Sequence, residues 1–157
     1  MKKISEHISF KEATHSQTAN KFGLENKPNK DHIKNMELIS EKVFEPLREF
    51  VGGPIKVNSF YRCEELNEMI GGSMSSAHIV GKAMDITSLG KKSNLEMLNY
   101  IIKNLDFDQV ISEFPNQDGE PSWLHISYLN KKDNRKQALE IKKKGKYYTY
   151  TGCKNCG

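Results

Sequence analysis

The chain is 157 residues long, the size of a single folding unit, and carries 24 Lys and Arg against 20 Asp and Glu. A net charge of +4 gives no ground for a dedicated nucleic-acid binder, and a hydrophobic share of 36% argues for a packed core rather than a disordered chain. No apolar run approaches the roughly 18 residues that cross a bilayer, which excludes a membrane-spanning protein.

Met1-Lys2-Lys3 is followed by charged residues and no continuous apolar stretch, so a secretory-signal reading fails. Synthesis in the cytoplasm is expected, with delivery by other means if the target lies outside. Ser9 and Glu12 have capping-box spacing and predict a short helix from about Phe10. Residues 22 to 30 read as a loop. Ile33, Met36, Ile39, Val43, Leu47 and Phe50 then mark one face of a long helix that stops at Gly52-Gly53-Pro54. Ile55 to Phe60 reads as a strand, and Glu64 to Ile70 as a short helix ended by Gly71-Gly72.

A polar stretch, Ser73 to Ser76, leads to a strand at about Ala83 to Thr87. Ser93 caps a helix whose buried side carries Leu95, Leu98, Ile101, Ile102 and Leu105. Strands follow at Phe107 to Phe114 and Trp123 to Tyr128, with two more strand-like pieces at Ala138 to Ile141 and Tyr147 to Tyr150. Helices first and strands later predict an α+β fold.

From Lys131 onward nine basic residues face two acidic ones, whereas the first 130 residues carry 15 basic and 18 acidic. The basic end is either a solvated surface or a site of attraction to a polyanion such as a bacterial cell wall or nucleic acid. One domain over residues 1–130 is expected, with 131–157 as its basic C-terminal strands and tail. Cys153 and Cys156 form a lone Cys-x-x-Cys, half of a zinc ribbon and no redox motif, and read as a reduced or loosely paired tail.

Two of the five histidines stand in unusual settings. His78 and Asp85 bracket a glycine turn at Gly81, so that the chain can fold back and bring both side chains together, and His125 on a later strand can add a third ligand. Two imidazoles and one carboxylate would hold a tetrahedral zinc with one position open for water. A His and an Asp seven residues apart also occur by chance, so spacing alone leaves a structural role open. His7, His15 and His32 lie in polar segments and read as surface residues. Cys63 beside Arg62 would need a partnered histidine to act as a nucleophile, and both motif histidines are taken if they hold a metal, which argues against that role.

The pattern Ser76-x-His78-x-x-Gly81-x-Ala83-x-Asp85, followed by Trp123-x-His125, resembles the zinc signature of the D-alanyl-D-alanine carboxypeptidases and L-alanyl-D-glutamate endopeptidases. Asn58-Ser59-Phe60-Tyr61-Arg62-Cys63, continuing to Asn67, is similar to that family's Ser-Gly-Tyr-Arg-Ser…Asn segment, with Phe60 for the glycine and Cys63 for the serine. Phe107 to Phe114, Phe10 to Thr14 and Asn26-Lys27-Pro28 resemble its short, phage-type members. The resemblance covers residues 9 to about 128.

The resemblance implies a hedgehog/DD-peptidase-like fold, with N-terminal helices packed on a small, mainly antiparallel sheet that carries zinc. It implies His78, Asp85 and His125 as zinc ligands, with Ser76, Arg62 and Tyr61 as substrate-positioning residues. Arg62 would hold a peptide carboxylate or polarise the scissile carbonyl. Many relatives place a glutamate base two or three residues before the last histidine, where this chain has Trp123 and Ser122. Glu113, on a strand, is preferred as the base over Glu120, in a loop, because a strand fixes direction.

The implied function is hydrolysis of stem-peptide bonds of bacterial peptidoglycan by a monomeric zinc peptidase, of carboxypeptidase or endopeptidase type. A phage or prophage source is implied, with access to the wall through lysis or a particle. Peptidoglycan stem peptides are the expected partner, and neither nucleic acid nor a membrane span is expected. The alternative is a non-catalytic, zinc-containing wall-binding or tail module.

Overall fold

The structure, a computed structural model, describes residues 2–152; Cys153 and Cys156 lie outside the described residues. The chain opens with a small hairpin, β1 (Lys3–Ser5) and β2 (Ile8–Ser9), which sequence reasoning did not anticipate. Its strands are too short to show a periodicity. What holds it is Glu45, whose carboxylate accepts from Ser5 Oγ at 2.6 Å and from the His7 amide at 2.9 Å.

Ser9 then caps α1 (Phe10–Thr14), accepting the Glu12 amide at 3.0 Å. Ser16 caps α2 (Gln17–Phe22), a helix that the sequence reading left unassigned. The long helix begins with α3 (Lys30–Ile39), where Asn29 and His32 cap each other's backbone reciprocally.

The predicted helix from Ile33 to Phe50 is not uninterrupted. Ser40–Phe44 form a π-helical turn, in which Glu45 donates to Ser40 O five residues back, before α4 (Glu45–Val51) resumes. Pro46 accounts for the looser turn. It has no N–H to give, and its ring would collide with the carbonyl four residues earlier. Gly52 closes α4 with φ of +62°, a left-handed conformation that favours glycine. The buried stripe runs through Met36, Ile39, Val43, Phe44, Leu47 and Val51.

β3 (Ile55–Ser59), α5 (Glu64–Met69), a 3₁₀ turn (Ala77–Val80) and β4 (Ala83–Ser88) follow. α6 (Asn94–Asn104) starts at a complete capping box between Ser93 and Glu96. β5 (Gln109–Glu113), β6 (Trp123–Ser127), β7 (Gln137–Lys143) and β8 (Lys146–Thr149) complete a six-stranded sheet in the order β3-β4-β6-β5-β7-β8. Only β5 and β7 pair in parallel; the other neighbours are antiparallel. The fold is α+β with a mainly antiparallel sheet, as the order of elements predicts.

Strand alternation divides the sheet into two functions. Met84, Ile86, Val110, Leu124 and Ile126 are buried on the face that meets the helical layer, where α6 contributes Met97, Leu98 and Ile101. The other face is read from the register. Asp85 lies opposite His125, His125 opposite Ile111, and Ile111 opposite Leu139, forming one row across four strands. One step along, Trp123 lies opposite Glu113; one step the other way, Ser127 lies opposite Gln109. Gln109, Ile111 and Glu113 of β5 and Trp123, His125 and Ser127 of β6 thus form the floor of a cleft.

Candidate metal centre

The cleft has a volume of about 670 Å³ and is lined by the His78, Asp85 and His125 side chains together with Arg62, Glu113 and Trp123. His78 comes from the 3₁₀ turn, which Ser76 caps by accepting the His78 amide at 3.3 Å. Gly81 then reverses the chain with φ of +76°. A Cβ there would strike the His32 carbonyl and Met36, so the turn needs glycine for both conformation and space. The reversal feeds β4, which carries Asp85 beside His125 of β6.

The three side chains converge on one point. Asp85 Oδ1 lies 3.3 Å from His78 Nε2 and 3.0 Å from His125 Nδ1. A tetrahedral zinc with bonds of about 2.0–2.1 Å separates its ligand atoms by roughly 3.3 Å, so the N,N,O set fits that ion. The surroundings support the same chemistry. His78 Nδ1 lies 2.7 Å from the Phe60 carbonyl, which fixes a proton on Nδ1 and leaves the Nε2 lone pair facing Asp85. Burial pushes the His78 pKa down, against the opposing pull of Asp85, and so favours the neutral imidazole that a metal requires. Burial alone would raise the Asp85 pKa, but His78 and His125 outweigh it and hold the carboxyl far below the usual range.

Arg62 grips the other oxygen of the carboxylate, with Nη2 3.5 Å from Asp85 Oδ2. Its guanidinium is also held from behind, where Nε donates to Ser59 Oγ at 3.1 Å and Nη1 to Asn67 Oδ1 at 3.0 Å. Asn67 is fully buried, and its Nδ2 donates to the Ser73 carbonyl at 2.8 Å. It thereby ties Arg62 to the polar stretch that leads into Ser76 and His78. Sequence reasoning missed this clamp, although Asn67 stands within the segment that carries the resemblance. A lone asparagine gives no signal of its partners. Arg62 makes no ion pair with the neighbouring Glu64 or Glu65, because Asp85 and Asn67 take the guanidinium inward.

Glu113 and Glu120 separate clearly. Glu113 is half-buried on the cleft floor; burial and the Asp85 charge raise its pKa, with His125 opposing, to about 7. Phe114 follows with φ of +46°, an uncommon conformation for an aromatic residue. It is pinned by its amide donating to Ile141 O and its carbonyl accepting from Ser122 Oγ. Glu120, by contrast, accepts the Leu95 amide at 3.1 Å at the start of α6 and does not line the cleft. The helix N-terminus, with its free amides, has taken that carboxylate.

Tyr61 also departs from expectation. Its ring is buried in the core, 5.2 Å from the His32 ring, and does not line the cleft. The chain turns away from β3 here, with the Tyr61 amide donating to the Ala13 carbonyl and its own carbonyl accepting from Asn26 Nδ2. His32 is therefore partly covered rather than a free surface residue. Trp123 lines the cleft beside Phe114, with ring centroids 5.6 Å apart.

The sequence pattern of the family described as Peptidase M15 matches residues 6–127, more than three quarters of the chain. The chain belongs to the peptidase M15 family. No curated protein matches its sequence. M15 peptidases are zinc-dependent, which agrees with the N,N,O cluster. The match ends at Ser127, so β7 and β8 lie beyond what it covers. Among the described residues, no helix is long and apolar enough to cross a membrane.

Proposed function

We propose that this M15 member is a zinc-dependent peptidase that hydrolyses stem-peptide bonds of bacterial peptidoglycan, with His78, Asp85 and His125 as the metal ligands and Glu113 as the general base. The observation that carries the reading is the shared cleft floor: a ligand set of tetrahedral dimensions and a carboxyl with a pKa of about 7 lie one step apart on neighbouring strands.

Zinc held by these ligands supplies Lewis acidity, making water easier to deprotonate and a carbonyl carbon easier to attack. The chain's own residues do the rest. Glu113, poised near neutrality, takes a proton from the attacking water and returns it to the departing amine. A carboxyl at its ordinary pKa would accept the proton less readily and hold it less well for the second transfer. Arg62 fixes the Asp85 rotamer from the far oxygen and turns its remaining N–H groups to the cleft, where they meet the charge developing on the carbonyl oxygen. Ser76, capping the turn at the cleft edge, holds His78 in place and leaves its hydroxyl beside the substrate path.

The test is mass spectrometry of peptidoglycan after incubation with the zinc-loaded protein, against a chelator-treated control. Chelator-sensitive fragments are expected, and their masses name the bond and distinguish carboxypeptidase from endopeptidase action. An unchanged fragment pattern from protein shown to hold zinc would overturn the enzyme reading in favour of a binding module.

A further inference from the structure

The segment beyond the family match builds one wall of the same cleft. Arg135, Leu139 and Tyr147 all line it. The register places Leu139 in the metal-bearing row, and Tyr147 opposite Ile141 on the same face. The segment is fastened at its start. The Lys136 amide donates to the Phe107 carbonyl with the residue in a left-handed turn (φ +55°), and the Gln137 amide donates to the Asp108 carbonyl.

Arg135 is the charged residue of this wall with a fixed orientation. Its Nε and Nη2 each donate to Asp108 at 2.9 Å, and its amide donates to the same carboxylate at 3.0 Å. Asp108 is itself buried. The bidentate grip consumes one edge of the planar guanidinium and leaves Nη1 without a hydrogen bond among the described residues. The side chain remains more than half exposed. Arg62, in contrast, has Nε and Nη1 committed to the protein and Nη2 against Asp85. Asp108 offsets much of the Arg135 charge, but Lys131, Lys132, Lys136, Lys142, Lys143, Lys144 and Lys146 make the surrounding segment strongly positive.

The cleft is consequently polarised along its strands. Glu113 and Trp123 stand at one end, the metal ligands in the middle, and Gln109, Ser127 and Arg135 at the other. Each two-residue step is roughly 7 Å. We propose that Arg135 is a specificity residue whose free guanidinium edge takes a carboxylate of the substrate, one or two residues from the bond that is cut. The inference rests on the peptidase reading and deepens it, because stem peptides carry both a C-terminal carboxylate and the α-carboxylate of a γ-linked glutamyl residue.

Three synthetic stem pentapeptides test the assignment: one with both carboxylates free, one with a C-terminal amide, and one with the glutamyl α-amide. Turnover is measured for the zinc-loaded protein and for Arg135→Gln and Arg135→Lys. Binding is measured by calorimetry in a zinc-loaded Glu113→Gln background. Arg135→Lys retains a cation for Asp108, which guards against loss of the fold, and thermal melting checks both variants.

The free acid should be preferred over one of the two amides. Replacing Arg135 should raise KM for the acid roughly tenfold or more, with kcat little changed, and erase the preference. Folded variants that keep the wild-type preference, or a wild type without one, would overturn the Arg135 assignment while turnover still upholds the peptidase. If the wild type cuts no peptide, the peptidase reading fails, and an Arg135-dependent binding preference for the acid would still sustain the carboxylate site.

Discussion

Among the described residues, two clusters bring imidazole and carboxylate groups within ligating distance of one another, and they differ in everything beyond that distance. His78, Asp85 and His125 form one; Glu6, His7 and Glu45 form the other, and in each the candidate ligand atoms lie within 4.8 Å of one another. In the first, the carbonyl of Phe60 sets the His78 tautomer, Arg62 takes the outer oxygen of Asp85, and His78 is buried. In the second, Glu45 is already satisfied by the Ser5 hydroxyl, the His7 amide and the His7 ring at 2.7 Å, and Glu6 and His7 are exposed. Proximity of ligand types is therefore not the distinguishing property. The first cluster has outside partners that leave its lone pairs facing a common point, whereas the second spends its own lone pairs on fastening a hairpin to a helix.

The largest expected effect sharpens that contrast directly. Asp85→Ala or His78→Ala should lower zinc affinity by more than about 100-fold, beyond the range typical of losing a mere supporting partner, and abolish peptide hydrolysis. Metal analysis after dialysis against a weak chelator reads the first and the fragment assay the second. A variant that still held one zinc per chain would show that the ion is bound elsewhere.

Glu113→Gln comes next and separates binding from chemistry. Zinc should remain, while kcat/KM falls by roughly 10²–10⁴-fold, the span usual for removing a general base. In the unsubstituted, zinc-loaded protein, kcat/KM should rise with pH as Glu113 ionises, with its midpoint below the metal-free value of about 7 because the bound dication favours the carboxylate. A pH profile flat between 5 and 8 would remove Glu113 from the role.

That His78, Asp85 and His125 come together was legible, from a turn between His78 and Asp85 that glycine permits and a strand that returns with His125, whereas their role as ligands rested on the family resemblance. The strands themselves were legible from alternation, most plainly in Trp123-Leu124-His125-Ile126-Ser127. What escaped was what depends on tertiary partners. The hairpin at residues 3–9 owes its place to Glu45, some forty residues away. Tyr61 shares a motif with Arg62 but points into the core, because motif neighbours on an irregular segment need not share a side. Arg135 lies in a basic stretch, and nothing in the sequence separates it from its lysines until Asp108 is seen to hold it.

Asn67 offers the next test, of moderate size. Asn67→Ala would leave Arg62 Nη1 and the Ser73 carbonyl without their partner, at a cost of roughly 1–3 kcal/mol in stability. Activity should fall further than zinc content, since the clamp aims Arg62 rather than the ligands. Denaturant melts and metal analysis of the same sample would show it. Equal loss of zinc and activity would mean that Asn67 serves the fold alone.

A smaller effect reports the strain of keeping Glu113 where it is. Its folded pKa, about 7, lies above the ordinary 4.5, so the fold favours the protonated form. Below about pH 4.5 the group costs nothing; as pH rises through 7 the folded state must carry the charge and loses stability relative to the unfolded chain. In metal-free protein at pH 8, Glu113→Gln should therefore gain about 1 kcal/mol, a value already reduced for the partial exposure of the side chain. At pH 4 the gain should vanish. A gain independent of pH would assign it to packing instead.

The smallest effect returns to the second cluster and is the one that could break the contrast. If Glu45 is a fastener and not a ligand, Glu45→Gln should leave zinc stoichiometry and turnover unchanged. It should cost stability by about 1 kcal/mol, because an amide accepts through one oxygen where the carboxylate accepted through two. The loss should be confined to β1, β2 and the adjoining turn of α4, where faster amide hydrogen exchange would mark the loosened hairpin. A fall in bound zinc from two per chain to one would mean that Glu45 had been holding an ion. Partners that look satisfied by the hairpin would then be those a metal displaces, and the tautomer-fixing carbonyl and the arginine around Asp85 would no longer be what sets the first cluster apart.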